Sequence, residues 1–465
     1  MKQHFYGLFL ALAIISFSCR ALSPLSISPT SQMENADPTP VEKFNITAAP
    51  TIDWLLFLGP ENVPMDIVAD INGNNYVLLR ERTNSNNADY NYRMLSLVKI
   101  SSTGNKEWQI SVAESYTGAL ASLAIDSAGF VYVAGASGKE WGEPINRFVA
   151  SGELENDFFV AKIDNAGQIV WNTFLGNSGA TNIAADTDGN LYLVTYDAFN
   201  TAKKSDYTFV KLDNQGNIVT TNKISGLTSS YPYLLTVATN GNVYVSGDYR
   251  ASIDANPDCF LSKLSSDGVL LWNTFIGGQG QEGIAGTQAT AHVDQSGNVY
   301  FIGISDSSWG EPLTPYDGGY VMEDPAYEWQ NGQENFIAKI DDQGNLVWHT
   351  FLNKSVSIYT SLLDKDGNLI FVGYSNSTWG NPLNQPNLVN GNDDGFIAFM
   401  DTNTGSTEWT AFIGGDGHDF IHELVIGNAH QFYVIGGTDK TFGNPINDGG
   451  EDGIMNYFIA SLFWQ

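Results

Sequence analysis

A unit of roughly 59 residues repeats between Asp53 and the C-terminus, and this repetition constrains the fold more than any other feature. Each copy contains a Tyr-Val segment, a segment that usually carries lysine, and a tryptophan segment. The Tyr-Val segments are centred on Tyr76, Tyr132, Tyr192, Tyr244, Tyr300, Ile370 and Tyr433. The tryptophan segments contain Trp54, Trp108, Trp171, Trp272, Trp348 and Trp409, with Thr220 in the remaining copy. Because a repeating array can close into one domain, the 465 residues need not form several.

The repeated segments have the length and composition of β-strands. They are rich in β-branched and aromatic residues and are bounded by Gly, Asn and Asp. The run Val299–Ile302 is apolar throughout, which is typical of strands buried on both faces. The apolar period of about 3.6 residues that a helical solenoid requires is absent. We therefore predict an all-β fold, a seven-bladed β-propeller of four-stranded antiparallel blades.

The order of the segments predicts how the ring closes. The array starts with a tryptophan segment from Ile52 to Leu58 and ends with a segment from Phe458 to Phe463. If the tryptophan strands are the outermost strands, the N-terminal strand completes the C-terminal blade. Such closure joins the two chain ends and removes free sheet edges.

The repeat resembles a known family. The patterns Trp-x-Thr-Phe-Ile-Gly-Gly, Asp-x-x-Gly-Asn-Val-Tyr-x-x-Gly and Phe-x-Ala-Lys-Ile-Asp-x-x-Gly resemble the SBBP (seven-bladed β-propeller) repeat proteins of bacteria. The resemblance covers Asp53 to Gln465. It implies the propeller architecture and a surface or secreted protein, and it says almost nothing about function.

The N-terminus resembles an export signal. Lys2 precedes an apolar stretch from Phe5 to Phe17, which is too short to span a bilayer but suits a signal peptide. The following Ser18-Cys19 resembles a lipobox, in which the cysteine is lipidated. Residues 20–50 are rich in Ser, Thr, Pro and Asn without a hydrophobic period, which predicts a flexible tether. We predict a signal peptide over 1–18, a lipidated Cys19 with its tether over 19–50, and the propeller over 51–465.

Charge and cysteine content restrict the partners. The net charge of −30 repels phosphate backbones, so no nucleic-acid partner is expected. Two cysteines exclude a disulfide framework, and Cys259 lies in an apolar run that indicates a buried core residue. We expect a monomer that contacts the membrane through its lipid anchor only. Its location is the bacterial cell envelope, or the medium if Cys19 is not lipidated.

Two hairpin types recur, and one of them contains a possible cation motif. Asp186-Thr187-Asp188-Gly189 and Asp364-Lys365-Asp366-Gly367 resemble the start of a calcium-binding EF-hand loop. No acidic residue follows at the twelfth position of such a loop. We therefore interpret these segments as tight turns, in which Asp caps the backbone and Gly or Asn accepts a positive φ. No cofactor is expected.

Candidate ligand residues fall in long loops. Successive connections of a meander alternate between the two faces of the disc, so both hairpin types lie on one face. The long loops 135–156, 303–335, 373–395 and 436–456 then share the other face, and variable loops of repeat proteins often bind ligands. Four loops contain an aromatic-Gly-x-Pro motif, which is either a ligand platform or, as we favour, a loop anchor. The candidate ligand-face residues are Trp141, Trp309, Trp379 and Phe442 of these motifs, and Tyr316, Tyr320, Glu323, Asp324, Tyr327 and Trp329 of the longest loop.

No catalytic constellation stands out. His418 and His422 are four residues apart, which on a strand separates the side chains by about 13 Å, too far to share a metal. We interpret the histidines as structural or exposed. Gly278-x-Gly280-x-x-Gly283 matches a dinucleotide-binding pattern but no helix follows it. No nucleophile elbow is present.

These observations favour a non-catalytic binding or scaffold propeller whose partner is an unidentified protein or glycan. One alternative is a quinoprotein-like enzyme or an outer-membrane assembly scaffold. Asp401-x-x-Thr404-Gly405-x-x-x-Trp409 resembles the tryptophan-docking motif of those propellers, which have eight blades. A second alternative is a glycan hydrolase or lyase, because acids are abundant, although no particular pair is indicated.

Overall fold

A computed structural model gives the structure, with the following ranges described: residues 48–81, 92–116, 121–149, 156–176, 179–196, 207–224, 230–249, 256–283, 291–318, 332–388, 391–427, 431–447 and 452–464. Within these ranges the regular secondary structure is β, with no α-helix. No described segment forms a helix long and apolar enough to cross a bilayer.

The strands form seven antiparallel sheets, which we call blades. Each blade has four strand positions, from an inner strand to an outer strand. The first strand along the chain is β1 (Thr51–Gly59). Blade 1 consists of β2 (Asn62–Ala69), β3 (Asn75–Glu81), β4 (Tyr92–Ile100) and β5 (Lys106–Tyr116). Blade 2 consists of β6 (Ser122–Ile125), β7 (Val131–Ser137), β8 (Asp157–Ile163) and β9 (Ile169–Phe174). Blade 3 has an inner strand in two pieces, β10 (Gly179–Ala180) and β11 (Ala184–Ala185), followed by β12 (Leu191–Tyr196), β13 (Thr208–Leu212) and β14 (Ile218–Lys223).

The remaining blades follow the same order from the inner to the outer strand. Blade 4 consists of β15 (Ser230–Val237), β16 (Val243–Tyr249), β17 (Asp258–Leu264) and β18 (Leu270–Ile276). Blade 5 has a divided inner strand, β19 (Glu282–Gly283) and β20 (Ala291–Val293), then β21 (Val299–Ser305), β22 (Glu334–Ile340) and β23 (Leu346–Phe351). Blade 6 consists of β24 (Val356–Leu363), β25 (Leu369–Ser375), β26 (Asp394–Asp401) and β27 (Ser406–Ile413). Blade 7 consists of β28 (Asp419–Ile426), β29 (Gln431–Thr438), β30 (Asn456–Phe463) and β1.

The inner strands contact one another in a closed ring. β2 contacts β6, the contacts continue through β11, β15, β20 and β24, and β28 returns to β2. The chain is thus a seven-bladed β-propeller, which confirms the fold predicted from the repeats. It differs from the eight-bladed quinoprotein propellers that the motif at Asp401 resembles.

The N-terminal strand closes the ring as the segment order predicts. β1 pairs antiparallel with β30, in a register that places Leu55 opposite Ala460 and Phe57 opposite Phe458. Leu55 is fully buried and belongs to a core that includes residues of blades 6 and 7. The last blade therefore depends on strands from both ends of the sequence.

The repeated tryptophans and lysines connect several blades to the blade that follows. The Trp171 indole Nε1 donates a hydrogen bond to the Asn214 carbonyl, in the last hairpin of blade 3, at 3.1 Å. The Lys162 ammonium donates to the same carbonyl at 3.3 Å and lies over the Tyr132 ring. Equivalent indole contacts are Trp54 to Ser102, Trp108 to Asn165 and Trp272 to Asp342. The tryptophan and lysine positions of the repeat therefore hold neighbouring blades together wherever these bonds form.

This contact predicts a measurable difference between two tryptophans. The indole nitrogen of Trp348 is buried without a hydrogen-bond partner among the described residues, unlike that of Trp171. Phenylalanine removes the same atoms at both sites but breaks a hydrogen bond only at Trp171. We expect Trp171→Phe to lower the free energy of unfolding by about 1 kcal/mol more than Trp348→Phe, measured by urea denaturation. Equal losses would show that the indole hydrogen bond does not stabilise the ring.

Candidate functional site

The aromatic-Gly-x-Pro residues pack inside the blades. Trp309, Trp379 and Phe442 are 6–8% exposed, and Trp141 is partly buried against the core between blades 1 and 2. Each ring meets a phenylalanine of the third strand edge-on, as Trp379 meets Phe396 with ring centroids 5.0 Å apart. The next glycine has a positive φ in every copy, for example 64° at Gly380. Rings in this position tie the long loop to its own blade and have little surface left for a ligand.

The longest loop is described only in part. The Tyr316 hydroxyl donates a hydrogen bond to the Gly332 carbonyl at 2.5 Å, and its ring packs against Phe351 with centroids 5.6 Å apart. Tyr316 thus ties together the two ends of its loop. The other candidates from this loop, Tyr320, Glu323, Asp324, Tyr327 and Trp329, lie outside the described residues.

The hairpin carboxylates are engaged by the backbone. In the Asp186 turn, Oδ1 accepts hydrogen bonds from the Asp188 and Asn190 amides, and Oδ2 accepts one from the Tyr192 hydroxyl. Equivalent turns occur at Asp126 and Asp364. These contacts hold the pKa of Asp186 below its usual value. Across the described ranges, no three His, Cys, Asp or Glu side chains converge as metal ligands.

A cavity runs through the centre of the ring between the inner strands. It has a volume of about 650 Å³ and is lined by side chains from all seven blades. This size falls within the range of small-molecule sites. We call it the central channel. Each second strand starts from a hairpin and ends at a long loop, so the ends of the channel correspond to a hairpin face and a long-loop face.

One level of the channel is a ring of mostly polar side chains. Its members each lie ten residues before the central residue of a Tyr-Val strand: Asp66, Ser122, Asn182, Leu234, Thr360 and Glu423. We call these six residues the channel ring.

Members of the channel ring bond to the next blade. Asp66 Oδ2 accepts a hydrogen bond from the Leu123 amide at 2.7 Å. Ser122 Oγ likewise accepts one from the Ile183 amide at 3.1 Å. Asn182 Oδ1 accepts one from the Leu235 amide at 2.6 Å. The ring thus has a structural role, and it also places two carboxyl groups, those of Asp66 and Glu423, in neighbouring blades.

Both ring carboxyl groups are partly buried on the inner strands. Burial raises the pKa of Asp66 to about 7, although the Leu123 and Ile67 amides donate to it. Burial, and then the charge of Asp66, raise the pKa of Glu423 well above its usual value, and Thr360 hydrogen-bonds to it. Neither carboxylate forms an ion pair with any described residue. The pair therefore favours at least one protonated acid.

Two histidines face the same channel with unused ring nitrogens. Nε2 of His292 and Nδ1 of His422 are buried and have no hydrogen-bond partner among the described residues. Burial lowers the pKa of each to about 4, so both are neutral at physiological pH. A neutral imidazole offers one acceptor nitrogen, and His422 can therefore accept a hydrogen bond from a ligand. His418, in contrast, lies beside Asp393, with Nδ1 3.5 Å from Oδ2.

β-Bulges shape the channel on the long-loop side of the ring. The register of the inner strand shifts at Met65, Tyr359 and His422, one residue before a channel-ring member in each case. A bulge inserts one residue and redirects its side chain, and all three line the channel.

These bulges build one aromatic wall. The Tyr359 ring lies 5.3 Å from His422 and 5.7 Å from Phe420, measured between centroids. Arg80 is the one cationic side chain in the described lining, and its Nη2 contacts Met65 Sδ at 2.7 Å.

None of the channel-ring residues was predicted from the sequence. When the seven repeats are aligned, the ring corresponds to the position ten residues before the central residue of each Tyr-Val strand. At this column of the alignment the repeats carry Asp, Ser, Asn, Leu, Thr, Thr and Glu. This column is polar in six of seven copies, although an inner strand packed between blades should be apolar. Aligning the repeats on the tyrosine reveals the column, whereas motif searches along one copy do not.

The chain was also compared with known proteins. No family model and no curated protein matches it. Among solved structures it is similar to a polysaccharide lyase, an ulvan lyase, at 12% identity with a TM-score of 0.48, over 90% of this chain and 95% of that one. It is similar to virginiamycin B lyase from Staphylococcus aureus, solved as an inactive variant with quinupristin, at 12% identity and 0.46, over 87% and 98%. The propeller domain of the Trilobed protease from Pyrococcus furiosus gives 10% and 0.43, over 87% and 94%.

Proposed function

We propose that this protein is an exported, lipid-anchored binding propeller of the SBBP repeat type, which holds its ligand in the central channel on the long-loop side. The single observation that carries the proposal is the channel itself. A cavity of about 650 Å³ is lined by a carboxyl pair and two histidines, and the described residues supply neither a counter-ion to the pair nor a partner to one buried nitrogen of each histidine. Buried polar groups without partners are costly, and a ligand that engages them recovers that cost.

The surroundings support binding rather than catalysis. Amides of its own and of the adjacent strand hold the Asp66 carboxyl group in place, and Thr360 and the Leu424 amide hydrogen-bond to Glu423. The aromatic-Gly-x-Pro anchors hold the long loops against the blades, which suits a preformed site. The export signal, Cys19 and the tether over 20–50 support attachment to the cell envelope with the propeller displayed away from the membrane.

A variant that fills the channel tests the proposal. Leu234 is the apolar member of the channel ring, and Leu234→Trp adds an indole to the lumen. Leu271→Trp is the matched control, because Leu271 belongs to the same blade but is 53% exposed on the outer strand. Wild type and both variants are screened by thermal unfolding against glycans, short peptides, organic amines, calcium and quinone.

We expect at least one ligand class to raise the Tm of wild type and of Leu271→Trp but not of Leu234→Trp. A ligand at 100 times its Kd adds about 2.7 kcal/mol of stability, which is a clear shift. A shift that Leu234→Trp retains in full would place the site elsewhere. A panel that shifts neither wild type nor the control would contradict a small-ligand role for the channel.

A further inference from the structure

The central channel contains an acidic subsite that no cation among the described residues balances. Asp66 and Glu423 lie on the inner strands of adjacent blades, and the charge of Asp66 raises the pKa of Glu423. Among the described residues neither forms an ion pair, and Arg80, the cation in the lining, contacts Met65. Ionising both acids requires a positive charge that the described lining does not supply to them.

Independent groups around the pair favour positive charge as well. The neutral His422 imidazole lines the channel, and its buried Nδ1 has no hydrogen-bond partner among the described residues. Tyr359 lines the channel next to it, supported by Phe420 and Tyr374 with centroids 5.7 and 5.6 Å away. Aromatic faces attract organic cations, and a neutral imidazole accepts a hydrogen bond from an ammonium group. The net charge of −30 over the chain also draws cations toward the protein.

The coordination chemistry favours an organic ammonium over a metal ion. Calcium requires six to eight oxygen ligands. The two oxygens of Asp66 already accept hydrogen bonds from Ile67 and Leu123, both at 2.7 Å. No group of three His, Cys, Asp or Glu ligands converges within the described ranges. An ammonium group needs fewer and less regular acceptors, and its carbon substituents can contact the aromatic wall.

We propose that the channel binds a ligand through an ammonium group, which sits between the Asp66–Glu423 pair, His422 and the Tyr359 ring. This inference rests on the proposed function and names the chemical class of its ligand. Binding displaces the proton that the carboxyl pair holds in the free protein, so ligand uptake releases a proton and affinity rises with pH.

Three probes test the inference by isothermal titration calorimetry at pH 7.5. Two of them share a similar shape, and two of them carry a positive charge. Benzylamine, protonated at this pH, is the ammonium probe. Benzyl alcohol has a similar shape without the charge, and calcium chloride supplies an inorganic cation. We expect benzylamine to bind with one site per chain, at least tenfold tighter than benzyl alcohol, and calcium not to compete with it. Benzylamine should bind more tightly at pH 8 than at pH 6.

Two matched variants assign the effect to the pair. Glu423→Gln keeps the shape of the side chain but removes a carboxylate, and we expect it to weaken benzylamine binding at least tenfold. Glu408→Gln makes the same change at an exposed position of the outer strand of blade 6 and should leave the Kd unchanged. Circular dichroism and urea denaturation of both variants establish that they are folded.

Each outcome separates this inference from the proposed function. Benzyl alcohol binding as tightly as benzylamine, no benzylamine binding, or an unchanged Kd in Glu423→Gln each overturns the ammonium inference. The channel proposal stands in those cases if another ligand still shifts the Tm of wild type but not of Leu234→Trp. Benzylamine that binds Leu234→Trp normally overturns both, because its site then lies outside the channel.

Discussion

The Trp379→Ala variant is expected to lose about 3–5 kcal/mol of unfolding free energy. Trp379 is 6% exposed and belongs to a core cluster between blades 5 and 6. Its ring meets Phe396 edge-on with centroids 5.0 Å apart and stacks on Phe371 at 6.1 Å. Truncation removes this packing and leaves a cavity that the rigid strands around it cannot fill. Urea denaturation at constant pH measures the loss.

A matched control separates anchoring from a general effect of losing an aromatic ring. Phe275 is 51% exposed on the outer strand of blade 4, and Phe275→Ala should cost less than about 1 kcal/mol. If Trp379→Ala instead costs as little as the control, the aromatic-Gly-x-Pro motif is not a structural anchor. A ligand-platform role for the motif would then need to be tested by binding.

The same anchor geometry recurs in three other loops, which explains why the motif is conspicuous in the sequence. The ring pairs are Trp141 with Phe159, Trp309 with Phe336, and Phe442 with Phe458, with centroids 5.1–5.3 Å apart. A residue that recurs at the same position in successive blades stabilises the blade. A ligand in the central channel, in contrast, contacts all blades at a single site on the propeller axis. The residues that bind it therefore differ from one repeat to the next.

This distinction explains which features the sequence could predict. The blade number, the strand order and the closure by β1 follow from the period and from the position of the first tryptophan segment. The tight turns also follow from the sequence, because their hydrogen bonds join residues that are close in the chain. The bond from the Asn190 amide to Asp186 is an example. Such features depend on contacts within one repeat or between identical neighbours.

The channel ring could not be predicted in the same way. Asp66 and Glu423 are 357 positions apart and become neighbours only because the last blade returns to the first. The bulges at Tyr359 and His422 turn side chains into the lumen, and no turn residue or periodicity marks a bulge of this kind. From the sequence, His422 was interpreted as a structural or exposed residue. The structure places it in the lining of the channel.

The carboxyl pair also predicts a stability profile with a defined sign. The Glu423 carboxyl has a usual pKa of 4.5, and the folded protein raises it well above that value. Above pH 4.5 the unfolded chain releases this proton while the folded chain keeps it. The unfolded state then binds fewer protons, so stability falls as pH rises, by up to about 1.4 kcal/mol per pH unit. Asp66 acts in the same direction between its usual pKa of 3.8 and about 7.

Glu423→Gln isolates this effect, because glutamine resembles the protonated acid and does not titrate. We expect the variant to match wild type near pH 4.5 and to exceed it in unfolding free energy by a margin that grows as the pH rises to 7.5. His292 and His422, whose pKa values fall to about 4, contribute the opposite slope below pH 6.5, but equally in both proteins. Glu408→Gln, the same change at an exposed position, is again the control.

Urea denaturation across pH 4.5–8 gives the difference directly. A constant difference between Glu423→Gln and wild type would mean that the Glu423 carboxyl titrates alike in the folded and unfolded chains. A variant that becomes less stable than wild type as pH rises would mean that Glu423 is ionised and paired with a cation in the free protein. The acidic subsite would then already be neutralised. A rising difference, together with its suppression by bound benzylamine in wild type, would show that proton and ammonium compete for the same two carboxyl groups.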